Sequence, residues 1–188
     1  MKSQDEVLSF VAARLEECGI DYMIVGSFAS NLHGKPRTTH DADIVIEIDA
    51  PRLEKFAQAL GDDFYFDVEA AREAIKRNIM SNILHYESGL KIDLIVRKNR
   101  TFSRSEFQRR FQDDFLGRPC WIATAEDTLL AKLEWSKMGE SERQFNDAAN
   151  IVKVQGGNLD VGYLRRWAPE LQVEDLLHRL LEEVNRDS

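Results

Sequence analysis

Residues 37–48 read RTTHDADIVIEI and set two aspartates, Asp41 and Asp43, two positions apart at the mouth of an apolar run. Side chains on a strand alternate between faces, so both aspartates point the same way, with Cβ atoms about 6.5 Å apart. Val45 and Glu47 share that face, while Ala42, Ile44, Ile46 and Ile48 form an apolar face that belongs against helices. Two carboxylates this close repel unless a cation sits between them. A hard divalent ion, Mg²⁺ or Mn²⁺, is the usual answer because it takes oxygen ligands. The plainer alternative is that Asp41 caps a turn and Asp43 merely opens the strand.

Two further features weigh against that alternative. KIDLIV, residues 91–96, places Asp93 in a second apolar strand, opposite in face to Ile92, Leu94 and Val96. A lone carboxylate inside an apolar strand is costly to bury. If this strand lies beside the first, Asp93 becomes a third ligand at the same opening. Upstream, IVGSFASNLHG, residues 24–34, reads as a strand, a Gly-Ser pair and a short helix with Ser27 at its N-terminus. Gly26 permits close backbone approach, and a helix N-terminus offers free N–H groups to a phosphate.

The rest of the chain supplies the frame. It has 188 residues, 43% hydrophobic and 31% charged, and a net charge of −8, a composition suited to one globular protein. No apolar run approaches the roughly 20 residues that cross a bilayer. The start reads as an amphipathic helix broken by acids and not as a signal peptide. Cys18 and Cys120 offer neither a disulfide framework nor metal-ligand spacing, so a cytoplasmic location is expected. Strand and helix patterns alternate up to about residue 123; from there AEDTLLAKLEWSKM, ERQFNDAANIVKV, LDVGYLRRWAPEL and VEDLLHRLLEEVNR all follow helical periods. The expected organisation is a core over 1–123 and a helical region over 124–188 packed on it.

This constellation resembles the nucleotidyltransferase superfamily that includes DNA polymerase β, the antibiotic nucleotidyltransferases and the CCA-adding enzymes. Its pattern is a Gly-Gly or Gly-Ser, then Asp-x-Asp or Asp-x-Glu, then a third Asp on a neighbouring strand, matched here by Gly26, Ser27, Asp41, Asp43 and Asp93. RTTHDAD further resembles the bacterial abortive-infection toxin nucleotidyltransferases, whose Arg-x-Thr-x-Asp-x-Asp is filled by Arg37, Thr39, Asp41 and Asp43. Their later helical motif is matched more loosely by Asp127, Lys132, Arg143 and Asp147.

The resemblance implies an α+β nucleotidyltransferase fold: a small mixed β-sheet with flanking helices, plus a helical C-terminal region. It implies metal-dependent transfer of an NMP group from an NTP to a hydroxyl acceptor. Asp41, Asp43 and Asp93 would be catalytic and hold the metal, and Gly26, Ser27, Arg37 and Lys132 would bind the NTP. It also implies tRNA or another RNA as a candidate acceptor and a cognate toxin or antitoxin as a candidate partner. Two other readings stay open: a non-catalytic antitoxin or regulatory protein on the same fold, and a metal-dependent phosphodiesterase. The Gly-Ser before a helix disfavours the phosphodiesterase, which has no triphosphate tail to grip.

RKNRTFSRSEFQRR, residues 97–110, carries six basic residues and one acid on an otherwise acidic chain. It is either a solvated helix face or a polyanion surface. Because it follows the strand of Asp93, the expectation is that it lies beside the acceptor hydroxyl.

Overall fold

The computed structural model describes residues 2–115 and 117–186. The chain divides into two compact units, Met1–Ser27 with Thr39–Ile122, and Phe28–Thr38 with Ala123–Ser188. Thus the segment Phe28–Thr38 groups with the C-terminal helices, although more than 80 residues separate them in sequence.

The first unit is built on a sheet of seven strands: β1 (Asp21–Val25), β2 (Asp41–Glu47), β3 (Phe64–Phe66), β4 (Met80–His85), β5 (Lys91–Val96), β6 (Phe111–Asp114) and β7 (Pro119–Ile122). Their order is β3-β4-β5-β2-β1-β7-β6. The β2–β5 and β1–β7 pairs are parallel and the others antiparallel. Across β1, β2 and β5 one face is apolar: Tyr22 and Ile24 lie level with Ile46 and Ile44, and these with Val96 and Leu94, all buried. The helices of this unit include α1 (Gln4–Glu17), α3 (Ala50–Leu60), α4 (Val68–Arg77) and α5 (Thr101–Arg109); α1 buries Val7, Leu8, Val11 and Leu15, and α3 buries Leu53, Phe56 and Leu60. Those spacings are the helical stripes that burial requires.

Helix starts follow capping chemistry. Ser3 and Glu6 exchange hydrogen bonds in a capping box, and the Asp49 side chain accepts from the Arg52 N–H just after Pro51. A short helix, α2 (Gly26–His33), follows β1 directly, so Gly26, and not Ser27, is its first residue.

The second unit holds α6 (Ala125–Gly139), α7 (Glu142–Gln155), α8 (Val161–Leu171) and α9 (Glu174–Arg186), one for each helical period of the C-terminal sequence. Leu129, Leu130, Leu133, Phe145, Ile151, Leu164, Trp167 and Leu180 form its core.

Candidate active site

The parallel register of β2 and β5 sets Asp43 directly beside Asp93 and Asp41 beside Lys91. Neighbouring strands lie about 4.8 Å apart, so the two carboxylate-bearing residues are as close as sheet geometry brings them. Asp41 is exposed, Asp43 half-buried and Asp93 buried. Burial deepens from Asp41 to Asp43 along β2 and again across the sheet to Asp93 on β5.

Gly26 completes the same corner. Its φ is +64°, in the left-handed region, and a Cβ there would stand 2.0 Å from Asp43 Oδ2 and 2.8 Å from Asp43 Cγ. The carboxylate therefore rests against the bare Cα of Gly26, a position closed to other residues on both steric and torsional grounds. β1 delivers this contact because Val25, the preceding residue, is the register partner of Asp43.

Lys91 is the site residue that the motifs do not name. Its Nζ donates to Asp93 Oδ2 at 2.9 Å. The hydrogen bond to Asp93 raises the Lys91 pKa against the opposing effect of burial, and the charges of Asp93, Asp41 and Asp43 add to the rise. The signal was present in KIDL, since residues two apart on a strand share a face.

Among the described residues, no three His, Cys, Asp or Glu side chains gather into a ready-made metal cluster. The residues present nonetheless fit a hard cation. The metal-binding atoms that Asp41, Asp43 and Asp93 offer are carboxylate oxygens, and among the described residues the buried Asp93 Oδ1 has no hydrogen-bond partner. An orphaned buried acceptor of this kind is costly unless something occupies it.

Arg37 and Lys132, both expected on the nucleotide, meet on Asp147 within the second unit. Arg37 binds it in a fork, Nε to Oδ1 at 3.0 Å and Nη2 to Oδ2 at 2.9 Å, and Lys132 Nζ reaches Oδ2 at 2.9 Å. The Lys132 and Asp147 side chains are only 4% and 7% exposed. Burial pushes the Asp147 carboxyl up, but the hydrogen bonds and charges of Arg37 and Lys132 outweigh it and hold the group below the usual carboxylate range. Nearby in sequence, the fully buried Asp127 accepts from Thr124 Oγ1 at 2.7 Å and Tyr163 Oη at 2.6 Å.

The basic run does not lie where it was expected. Parallel pairing enters β2 and β5 at Asp41 and Lys91 and leaves at Ile46 and Val96. Residues 97–110 thus depart from the end of the strand remote from Asp41. There Arg97 pairs with Glu47, and Arg110 pairs with Asp21 at 3.1 Å while stacking on Phe107 and Trp121 at 4.2 and 4.9 Å. Asp21 and Glu47 are themselves register partners, which fixes both arginines at that far end.

No protein-family model matches the chain, and no curated protein does. Solved structures do. The antibiotic-resistance factor ANT(2'')-Ia matches with a TM-score of 0.56 at 12% identity over 98% of both chains. The lincosamide antibiotic adenylyltransferase LnuA, in its lincomycin-bound form, matches at 0.55 and 14% over 82% of this chain and 99% of its own. An antigenic nucleotidyltransferase-like protein from Paracoccidioides brasiliensis matches at 0.50 and 17% over 96% of this chain and 94% of its own. At these identities the likeness concerns the fold: an α+β chain, mixed in its sheet, with the nucleotidyltransferase architecture.

Proposed function

We propose that this protein transfers an NMP group from an NTP to a hydroxyl acceptor. The observation that carries the reading is the packing of Asp43 against Gly26 with Asp93 beside it in register. A strand needs neither a left-handed glycine at that point nor two adjacent carboxylates for stability; an acid pair held open to a ligand accounts for both.

Asp41, Asp43 and Asp93 would hold Mg²⁺ or Mn²⁺. Such an ion supplies charge to the triphosphate and acidity to the acceptor hydroxyl. The chain's own residues do the rest. Gly26 lets the backbone come close to the phosphates, and the first turn of α2 with the Ser27 hydroxyl supplies donors to them. Asp93 is the innermost carboxylate and accepts the proton of the attacking hydroxyl. Its other register neighbour is the exposed Asn82 on β4, so the acceptor approaches along β4, where Met80 and Leu84 are also exposed. Arg37 and Lys132 are engaged by Asp147 within the second unit, and the reading gives them no contact with phosphate.

RNA as the acceptor rested on the toxin-type resemblance and on the basic run, and the placement of that run at the far end of the sheet removes the second support. We favour a small-molecule acceptor; the name of LnuA gives a lincosamide antibiotic for that enzyme. The test is incubation with each α-³²P-labelled NTP, Mg²⁺ and, separately, small-molecule extract, total RNA and total protein. Label transferred to small molecules, and lost in Asp43→Asn, supports the reading. Label on RNA alone would restore the polyanion. Absence of transfer from any NTP would favour the non-catalytic antitoxin or regulatory alternative.

A further inference from the structure

Lys91 opens β5 on the face that carries Asp93, with Asp41 as its register neighbour. Its side chain is 40% exposed, whereas that of Asp93 is 10% exposed. The stem therefore reaches inward from solvent to place an ammonium 2.9 Å from Asp93 Oδ2, while Asp93 Oδ1 stays unpartnered. At the open end of this face the Lys91 ammonium thus stands with Asp41, Asp43 and Asp93. An ammonium is a compact point charge on a flexible stem, able to change partners. With the ammonium on Asp93 Oδ2, a divalent ion at Asp93 Oδ1 meets a like charge on the other oxygen of the same carboxylate and is repelled by it.

We propose that Lys91 is the resident cation of this acidic face and a positioning residue for Asp93: it aligns the carboxylate before ligand binds, opposes divalent metal alone, and releases Asp93 when a triphosphate arrives. The proposal rests on the nucleotidyltransferase reading. A triphosphate offers the ammonium new oxygen partners and adds negative charge to the face. Release of Asp93 then costs little, and metal and nucleotide bind as a linked pair. Without Lys91 there is nothing to displace, so metal binds without waiting for nucleotide.

The experiment titrates Mn²⁺, followed by electron paramagnetic resonance of the free ion, into wild type, Lys91→Met and Lys91→Arg. Each is measured alone and with non-hydrolysable analogues of ATP and GTP. The wild type should bind Mn²⁺ about tenfold or more tightly when its nucleotide is present, within the usual range of coupling between two ligands. Lys91→Met should bind Mn²⁺ more tightly than wild type in the absence of nucleotide, by a similar factor, and lose most of the nucleotide dependence. Lys91→Arg should keep the wild-type pattern. A merely structural role for Lys91 predicts weaker binding in Lys91→Met, not stronger. Wild-type Mn²⁺ affinity in Lys91→Met, alongside nucleotide-dependent binding in the wild type, would overturn this proposal and leave the enzyme reading standing. No Mn²⁺ binding by any form, with or without nucleotide, would overturn both. A thermal melt checks that Lys91→Met is folded; if it is not, Lys91→Gln takes its place with the same outcomes.

Discussion

Asp43 and Gly26 are mutually determined: the Asp43 Oδ2 atom lies 2.0 Å from where any side chain at position 26 would begin. An alanine there meets the carboxylate and also inherits a φ of +64°. Gly26→Ala should therefore destabilise the protein by about 1–3 kcal/mol through the clash and the backbone strain together. Chemical denaturation checks this. In a double-mutant cycle, Asp43→Ala should recover part of the loss, because the steric component disappears with the carboxylate. Strict additivity of the two changes would show that they do not touch.

Asp43→Asn keeps the shape of the side chain and removes one of three like charges. We expect a melting temperature at or above that of the wild type, since the repulsion is relieved. NMP transfer should fall by more than about a hundredfold, at least the upper end of what changes beyond the ligands themselves produce at metal sites. A fall in both stability and transfer would indicate a structural aspartate.

Asp147 carries a separate prediction about stability. Replacing it with alanine leaves Lys132 buried with no Asp147 carboxylate to answer its charge, and loss of one partner from a buried pair costs about 3–5 kcal/mol. The carboxyl is held below its ordinary range in the folded state. Its contribution is therefore present above the unfolded-state value of about 3.9 and is lost as pH falls through the lower folded value. The stability gap between wild type and Asp147→Asn should be constant near neutrality and should close below about pH 4. Thermal melts from pH 3 to pH 7 report it.

Charge reversal in the basic run should leave catalysis nearly untouched. Lys98 and Arg109 are exposed, and Arg97 and Arg110 bracket the end of the sheet away from Asp41. Lys98→Glu combined with Arg109→Glu should change transfer less than about twofold, with no change in its salt dependence. A steep loss at low salt would mean that the acceptor is a polyanion long enough to span the sheet.

Much of this architecture is legible in the sequence because it rests on local periodicity. The alternation in DADIVIEI and KIDLIV gives both strands and the side each aspartate takes, and the four C-terminal helices follow their apolar spacing. Register is not local. Which residue of β5 faces Asp43, and which end of β5 meets the basic run, depend on a parallel pairing made across two helices and two strands. β6 has no signal in the sequence, because FQDD has no alternation of its own and exists by pairing with β7. The fork of Arg37 on Asp147 joins residues 110 apart in sequence, a contact no pattern of spacing announces. Lys91 was within reach, since the rule that placed Asp93 on the acidic face places Lys91 there as well.

The parallel pairing of β2 with β5 also has a bearing on how long the folded molecule lasts. Antiparallel neighbours can zip from a turn, but this pair joins strands with α3, β3, β4 and the helix Val68–Arg77 between them, and closing so long a loop is entropically costly. The repulsion between Asp43 and Asp93 is therefore weak in the unfolded chain and is felt where that long-range contact forms; if it forms after the folding barrier, it acts on unfolding. A strain that enters after the folding barrier speeds unfolding more than it slows folding. Nucleotide and cation, by cancelling it, act on the native lifetime. A protease added to the bare and the loaded protein would read the site as a difference in survival time, with no acceptor needed.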